Sequence, residues 1–423
     1  MSSSLTIETQ LEIEVRARVP ELVDFALELI DCRPTYFGKQ LGIVEAARRY
    51  GRRLESIGMK VDRPSVAMTE LTRDPRWIDS SDYVPGLQPK SHVPAVRGTW
   101  WQNSDLPTLA LAGHLDVEPL DEDKWNEPAA ASGLVANGAL FGRGSADMLA
   151  ALACFATAIE VVSIVAKPQW NVEVHAVSEE ELGGNGTLDL LLSSTRPDFV
   201  VLGEPSAMQV CSATPGFHHF RVEVSGPRGH MATVAGGAME LVSDVLNAIH
   251  DARDRLAQEI RGYPDFSDYE ASPISVGRIF GGDDPAVPPS VCTLEGAIFS
   301  PGDLGQAWAR TRLHEILQGI PSSRISVTLE PLSFPGNFSS NQTDFAAYVQ
   351  RCTSTRDRAP IRSFHSPCDL RLYQDFGSVG VVFGPADLAQ AHAPNEHVSI
   401  DRLEDYTNSV CRLLTGAAGR FRG

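Results

Sequence analysis

Three consecutive glutamates, Glu179 to Glu181, follow a strand-like run of alternating apolar residues, Asn171 to Val177. Adjacent carboxylates repel one another, most strongly where water is excluded. A folded chain tolerates them at the end of a buried strand mainly where cations bind. Gly183, Gly184 and Gly186 let the backbone turn tightly beside them. A solvated acidic loop tip explains a lone triplet more simply, so the choice depends on the rest of the chain.

Other polar residues follow further apolar runs of the kind that parallel strands buried on both faces show. Each run leads directly, or through a loop, to residues that bind metals or transfer protons. These are Thr108–Gly113 with His114 and Asp116, Asp198–Leu202 with Glu204, and Val379–Phe383 with Gly384 and, by a loop, His392. Asp147 closes a Gly-rich turn just before a long apolar helix, Met148 to Val165.

The alternation of these strands with helices predicts how the polar residues are brought together. Strands joined through helices form a mostly parallel sheet with right-handed crossovers. Ligands of such sheets bind beyond the carboxyl ends of the strands, so the polar residues should converge at one edge. We therefore predict an α/β fold: a mostly parallel-sheet catalytic domain with helices on both faces, interrupted by a smaller α+β domain.

The interruption begins near residue 214, where the sequence pattern changes. Short strands and two helices replace the buried runs and predict a compact α+β insert. The strands are Phe217–Ser225, Ile274–Ile279, Val291–Phe299 and Ile325–Leu329, and the helices are Ala238–Ile260 and Asp303–Ile320. The predicted domains are a discontinuous catalytic domain, 1–213 and 331–423, and an insert, 214–330. Residues 64–94 are rich in Pro, Asp, Ser and Arg without periodicity and are predicted to be irregular.

Composition limits the classes of partner. The 423 residues are 43% hydrophobic, which is enough for a sizeable core and two domains. A formal net charge of −18 argues against nucleic acid or an anionic membrane as partner. The sequence lacks a transmembrane-length apolar run and the basic and apolar parts of a secretory signal. Seven dispersed cysteines favour reduced thiols, so we predict a cytoplasmic protein.

Imidazoles and carboxylates without thiolates suit Zn, Co or Mn ions. Two such ions need ligands on each side, a bridging anion and an open position for water. The candidate ligands are His114 and Glu204 for one ion, Glu181 and His392 for the other, and Asp147 between them. Each residue alone is unspecific, but their joint occurrence at four strand ends predicts a two-metal site.

Two more residues fit supporting roles at this site. Asp116, two residues after His114 on an extended segment, is placed to receive the ring N–H of that histidine. Glu180, which is not needed as a ligand, is placed to take a proton from water at the metal site. The pattern therefore provides a base as well as metal ligands.

The sequence resembles the di-zinc aminoacylase and carboxypeptidase family of metallopeptidases. This family includes acetylornithine deacetylase, succinyl-diaminopimelate desuccinylase, bacterial glutamate carboxypeptidase and carnosinase. The resemblance covers nearly the whole chain and rests on six motifs that are highly specific together. They are Gly113–Asp116, Gly142–Met148, Ser178–Gly186, Gly203–Ser206, Gly229–His230 and Ala391–Glu396.

The resemblance implies two zinc ions, or Co²⁺ or Mn²⁺ in their place, held by the five candidate ligands. It implies that Asp147 bridges the ions and that Glu180 is the general base and acid. Asp116 would orient His114. Of the three glutamates, the family's catalytic and ligand positions match the second and third. Glu204 is glutamate rather than the aspartate of the aminoacylase branch, which places the chain nearer the deacetylase, desuccinylase and carboxypeptidase members.

The insert matches the family's lid domain, whose face commonly makes a homodimer. The resemblance therefore implies a homodimer formed through the lid. His230 matches a histidine that in several members reaches the partner's active site and stabilises the tetrahedral oxyanion. A surface histidine with satisfied hydrogen bonds is the alternative interpretation.

Substrate recognition is where the chain departs from its relatives. Ala286 stands where several have an Asn that contacts substrate, which removes one polar contact. Arg371 matches an Asp-x-Arg motif and is the candidate for binding a substrate carboxylate. A solvated ion pair with Asp369 or Asp375 is its alternative role. Gly384 is expected to shape the pocket wall by close approach of its backbone.

The resemblance implies hydrolysis of a small amide, with closure of the lid excluding water. We expect an N-acyl amino acid or related amide as substrate. A dipeptide-like substrate, cleaved by an exopeptidase or dipeptidase, is the alternative within the family, and sequence separates the two poorly. A catalytically silent scaffold or binding protein is a third interpretation, which the intact ligands and Glu180 disfavour.

Overall fold

The computed structural model describes residues 5–36, 41–79, 92–100, 103, 105–120, 124–194, 196–230, 232–233, 235–338, 343–353 and 360–416. The chain divides into two compact units. The first contains Met1–Ser212, Ser340–Ile361 and Cys368–Gly423, and the second contains Ala213–Ser339 and Arg362–Pro367. The predicted insert, 214–330, lies within the second unit.

The described residues form strands and α-helices with the following bounds. The strands are β1 (Lys60–Asp62), β2 (Val96–Trp100), β3 (Thr108–His114), β4 (Leu134–Ala136), β5 (Ala139–Phe141), β6 (Asn171–Val177), β7 (Phe199–Leu202), β8 (Cys211–Ala213), β9 (Gly216–Ser225), β10 (Ile274–Gly281), β11 (Val291–Ser300), β12 (Ile325–Phe334), β13 (Arg362–Ser363), β14 (Val379–Val382) and β15 (His397–Ser399). The helices are α1 (Ile7–Asp31), α2 (Leu41–Ser56), α3 (Met68–Leu71), α4 (Leu149–Val165), α5 (Asn185–Ser193), α6 (Ala238–Arg261), α7 (Gly305–Ile316), α8 (Thr343–Cys352), α9 (Leu370–Asp375) and α10 (Ile400–Thr415).

The main sheet confirms the predicted α/β fold. Its strands in the first unit and at the unit boundary lie in the order β1-β2-β6-β3-β7-β14-β8. The central strands β6, β3, β7 and β14 run parallel to one another. Strands β1, β2 and β8 pair antiparallel. Every residue of β3 and β6 is buried, which is why their sequences carry so many apolar side chains.

Helix α4 forms the centre of the first unit's core. Most of its residues are apolar, and those from Leu149 to Ile159, with Val161 and Val162, are buried. It contacts β3, α1 and α10. Because α4 begins at Leu149, two residues after Asp147, this buried helix helps to fix the position of the Asp147 backbone.

A small three-stranded sheet, with the order β15-β5-β4, was not predicted from the sequence. Strands β5 and β15 pair antiparallel, with Phe141 opposite His397. The Gly-rich turn that follows β5 therefore lies beside the segment that precedes β15. Two motifs that are about 250 residues apart in the chain meet in this way.

The second unit confirms the predicted α+β insert. Its four-stranded sheet has the order β10-β11-β9-β12, and each neighbouring pair is antiparallel. Helices α6 and α7 contact this sheet, and the unit has its own apolar core, which includes Phe220, Leu294 and Leu313.

Two other expectations concern the chain as a whole. Of the segment 64–94, residues 80–91 lie outside the described residues, and the described part contains the one-turn helix α3. Among the helices that the structure describes, none combines the length and apolar character needed to cross a bilayer.

Candidate metal centre

The parallel strands deliver the predicted polar residues to one edge of the main sheet. In the register of β3 and β6, His114 lies opposite Val177, two residues before Glu179. In the register of β3 and β7, Ala112 lies opposite Leu202, two residues before Glu204. The ends of three neighbouring strands thus bring an imidazole and several carboxylates together, as the sequence predicts.

One group of possible ligand atoms comes from His114, Asp147 and Glu204, whose atoms lie within 4.8 Å of one another. Nε2 of His114 is 3.0 Å from Oδ1 of Asp147 and 3.8 Å from Oε1 of Glu204. All three residues are buried. Within the described residues, Oε1 of Glu204 is buried without a hydrogen-bond partner. Such an atom needs a hydrogen-bond donor or a cation, and a metal ion would satisfy it.

A second group comes from Glu118, Glu181 and His392, again within 4.8 Å. Nε2 of His392 is 3.1 Å from Oε1 of Glu181 and 3.3 Å from Oδ2 of Asp147. Asp147 therefore directs one carboxylate oxygen toward each group. The structure brings all five predicted ligand residues together and places Asp147 between the two pairs.

Glu118 is a member of the second group that sequence reasoning missed. Its signal in the sequence is spacing, because positions 114, 116 and 118 alternate along the chain and the first two are predicted site residues. Side chains two residues apart share a face of an extended segment. The same logic that selected Asp116 could have selected Glu118.

The electrostatics of the two groups show an excess of negative charge. Burial lowers the pKa of His392, but Glu181 and Asp147 outweigh it and raise that pKa to about 12. Burial, reinforced by the charges of Asp147 and Glu181, raises the pKa of Glu204 well above its usual range. Carboxylates packed this closely are stabilised by cations, so the donor set suits a pair of divalent ions.

Asp116 contacts His114 through its main chain. Nδ1 of His114 lies 2.8 Å from the main-chain oxygen of Asp116, but 3.8 Å from its carboxylate. The carboxylate instead accepts the backbone N–H groups of Glu180, at 3.4 Å, and Glu181, at 3.2 Å. The carboxylate is occupied in this way because the strand end brings the 180–181 turn within reach of that side chain, and the predicted role of Asp116 in orienting His114 stays a prediction. Asp116 thereby links the first histidine to the turn that carries the two glutamates.

Glu180 is the glutamate of the triplet without a place in either ligand group. Burial, followed by the charge of Glu204, raises the pKa of Glu180 well above its usual range. The carboxylate of Asp116 accepts the backbone N–H of Glu180, and the main-chain oxygen of Asp116 contacts the ring of His114. Asp116 therefore fixes the backbone of Glu180 relative to His114. A carboxylate held beside a metal site in this way can accept a proton and then return it.

Glu179 has a structural role that the sequence did not reveal. Its Oε1 lies 2.7 Å from Nδ1 of His92, and its Oε2 accepts a hydrogen bond of 3.1 Å from Asn185. The other ring nitrogen of His92 lies 3.0 Å from Asp189. The first glutamate therefore pairs with a buried histidine, while the second and third are held by Asp116.

A buried ion pair connects the two motifs that meet through the small sheet. Oε1 of Glu396 accepts the backbone N–H groups of Gly144, Ala146 and Asp147 at 2.8–3.1 Å. Its Oε2 lies 2.6 Å from Nη1 of Arg143. Nη2 of Arg143 donates to the main-chain oxygen of His392 at 3.2 Å. The pair thus holds the backbones of two candidate ligands, although sequence reasoning gave neither residue a role.

The residues predicted to contact substrate have well-defined surroundings. Arg371 is 5% exposed, and its Nη2 donates a 2.7 Å hydrogen bond to the main-chain oxygen of Gly183. A solvated ion pair is therefore wrong for this residue, because its guanidinium is buried. Binding of a substrate carboxylate by Arg371 stays a prediction.

Gly384 lies where two backbones approach each other closely. A Cβ atom at this position would collide with the main-chain oxygens of Gly203 and Glu204. The N–H of Gly384 donates to Oγ of Ser206 at 2.9 Å. The glycine thus allows the main chain to pass beside Glu204, and its predicted role toward substrate stays a prediction.

His230 belongs to the second unit and is exposed there. Its Nδ1 accepts a hydrogen bond of 3.2 Å from the backbone N–H of Ala232. Nε2 is thus the ring nitrogen left for an external group. Its predicted role at the oxyanion stays a prediction.

The sequence and fold have known counterparts. The profile of Peptidase family M20/M25/M40 matches residues 110–416. An acetylornithine deacetylase of Aliivibrio fischeri is 26% identical over 317 residues, covering 72% of this chain and 80% of the relative. The acetylornithine deacetylase of Proteus mirabilis is 25% identical over 367 residues, covering 84% and 91%. The crystal structure of human carnosine dipeptidase 1 shares the fold, with a TM-score of 0.73 and 15% identity over 99% of this chain and 100% of that chain.

Proposed function

This chain is a metallohydrolase that belongs to Peptidase family M20/M25/M40, and on that premise we propose that it cleaves the amide bond of an N-acyl amino acid or a related small amide. The observation that carries the proposal is the pair of ligand groups that share Asp147 at the edge of the parallel strands. The acetylornithine deacetylases among its relatives support a deacylase over other amide hydrolases.

The residues present fit two divalent ions. His114, Asp147 and Glu204 would hold one ion, and Glu181, His392 and Asp147 the other. Zinc suits these nitrogen and oxygen donors, and cobalt or manganese would fit in its place. When bound, the ions polarise the amide carbonyl and lower the pKa of water.

The chain's own residues would move the proton and hold the charge. Glu180 would accept a proton at its carboxylate and return it to the departing amine nitrogen. Asp116 would keep that carboxylate in place through the backbone of the 180–181 turn. His230 would help to hold the oxyanion, supplied by the lid of a second copy in a homodimer.

A substrate panel tests the proposal. The purified protein, with zinc or cobalt added back, is incubated with N-formyl, N-acetyl and N-succinyl amino acids and with dipeptides, and release of primary amine is measured. Glu180→Gln keeps the size of the side chain but cannot accept the proton. We expect it to lose turnover by at least about 10²-fold while its metal content equals that of the wild type.

Each outcome of the panel points to one function. Cleavage of an acyl amino acid by the wild type alone supports the deacylase, whereas cleavage of dipeptides alone supports the exopeptidase. Loss of metal together with turnover in Glu180→Gln would contradict its assignment as a base rather than a ligand. A wild-type protein that binds no metal and cleaves nothing would favour the scaffold interpretation.

A further inference from the structure

Glu118 provides a carboxylate at the second ligand group that the five-residue ligand set does not include. We propose that Glu118 is a ligand of the second ion and makes that position an oxygen-rich site that favours Mn²⁺ relative to the first position. This inference rests on the proposed function, since it assumes that both positions bind divalent ions. It adds a residue to the site and assigns a different metal preference to each position.

The backbone around Glu118 is fixed on both sides of Asp116. The N–H of Leu115 donates to the main-chain oxygen of Val177 at 2.8 Å, and the N–H of Val117 donates to that of Pro34 at 3.0 Å. With both neighbouring amides bonded, the segment after β3 has little freedom. These two hydrogen bonds thus hold the backbone on which Glu118 lies, two residues after Asp116.

The nearby arginine makes its hydrogen bonds to groups other than Glu118. Nη1 of Arg143 is engaged by Glu396 at 2.6 Å, and its Nη2 by the main-chain oxygen of His392 at 3.2 Å. The Glu118 carboxylate makes no hydrogen bond or ion pair to the residues that the structure describes, although it lies among Glu181 and His392. A partly buried carboxylate in a group of ligand atoms is thus available to a cation.

The two positions then differ in donor chemistry. The first has one imidazole and the carboxylates of Asp147 and Glu204. The second has one imidazole and three carboxylates, those of Glu118, Glu181 and the shared Asp147. Carboxylate ligands suit Mn²⁺, whereas a larger share of imidazole suits Zn²⁺. The second position should therefore hold Mn²⁺ better, relative to Zn²⁺, than the first.

Metal titration of the full-length protein tests this assignment without an activity assay. Metal-free wild type and Glu118→Gln are titrated with MnCl₂, with free Mn²⁺ followed by electron paramagnetic resonance, and with ZnCl₂ by calorimetry. Gln keeps the size of the side chain and removes its charge. Glu127→Gln, at an exposed glutamate outside both groups, is the matched control. Thermal unfolding of the metal-free forms checks that each variant is folded.

We expect two Mn²⁺ per chain in the wild type and in the control. In Glu118→Gln, binding of one Mn²⁺ should weaken by at least about tenfold, as loss of a metal-site residue typically does, while the other is unchanged. The loss for Zn²⁺ should be smaller. Equal affinities in wild type and Glu118→Gln, or equal weakening of both ions, would overturn the assignment. If Glu118→Gln weakened Zn²⁺ binding as much as Mn²⁺ binding, the preference of the second position for Mn²⁺ would be overturned. A wild type that binds no metal would overturn the proposed function itself.

Discussion

The buried pair of Glu396 and Arg143 gives a sharp quantitative prediction. Glu396 accepts three backbone N–H groups of the turn that ends in Asp147, and its second oxygen faces Arg143. The substitution Glu396→Gln keeps a carbonyl oxygen for the backbone groups. It therefore mainly removes the negative charge that compensates the guanidinium.

The size of the effect follows from burial. The side chains of Arg143 and Glu396 are 8% and 0% exposed, so neither charge is well solvated. Removing one partner of such a pair costs about 3–5 kcal/mol, because the remaining charge is buried without compensation. By contrast, Glu404 pairs at 3.0 Å with Arg16, which is 80% exposed. Glu404→Gln, the matched control, should change the free energy of unfolding by less than about 1 kcal/mol.

Urea unfolding at pH 8 measures both values. That pH keeps the Glu396 carboxylate ionised, as its 2.6 Å contact with the guanidinium of Arg143 requires. We expect the free energy of unfolding of Glu396→Gln to fall by about 3–5 kcal/mol with an unchanged dependence on urea concentration. The double variant Arg143→Met/Glu396→Gln should be more stable than the single variant, because it removes the uncompensated charge.

A small effect would refute this reasoning. If Glu396→Gln lost less than about 1 kcal/mol, like the exposed control, the charge of Arg143 would not depend on its buried partner. If the double variant were less stable than Glu396→Gln, the uncompensated charge of Arg143 would not be the cause of the lost stability.

Two further predictions concern stability and the metal site. Burial lowers the pKa of His92, but its two carboxylate partners outweigh burial and raise that pKa from 6.5 to about 9. The protonated histidine therefore stabilises the folded protein. This stabilisation is fully present below pH 6.5 and is lost as the pH rises through 9. The shift in pKa corresponds to about 3 kcal/mol of stability. In urea unfolding, the free energy of unfolding should therefore decrease less between pH 6.5 and 9 in His92→Asn than in the wild type. An equal decrease in both proteins would contradict the pairing of His92 with its carboxylates. Gly384→Ala should displace the main chain at Glu204 and reduce metal content, measured by atomic absorption, because the added Cβ collides with two backbone oxygens. Gly319→Ala, where the added Cβ meets nothing within 4 Å, should keep the wild-type metal content, and equal contents in both variants would refute the role of close approach.

The sequence predicted the fold and the location of the site because both follow from local patterns. Buried parallel strands require apolar residues on both faces, so Thr108–Gly113 and Asp198–Leu202 could be recognised without knowing their neighbours. A parallel sheet then places its strand ends at one edge, which joins His114 with the glutamates after β6. The change of pattern near residue 214 likewise marked the insert.

Contacts between distant segments decided the rest, and no local pattern encodes them. Glu118 became a candidate ligand only because the chain folds back to place His392 beside it, and Glu396 meets Arg143 across 253 residues. Whether Asp116 would hold His114 through its carboxylate or its main-chain oxygen depended on which N–H groups the neighbouring strand end supplies. The residue types at the strand ends thus determined what chemistry is available. The tertiary structure determined which side chains support the metal ligands and which pair with each other. Hydrogen bonds and charge pairs depend on distances in space, which the sequence does not contain.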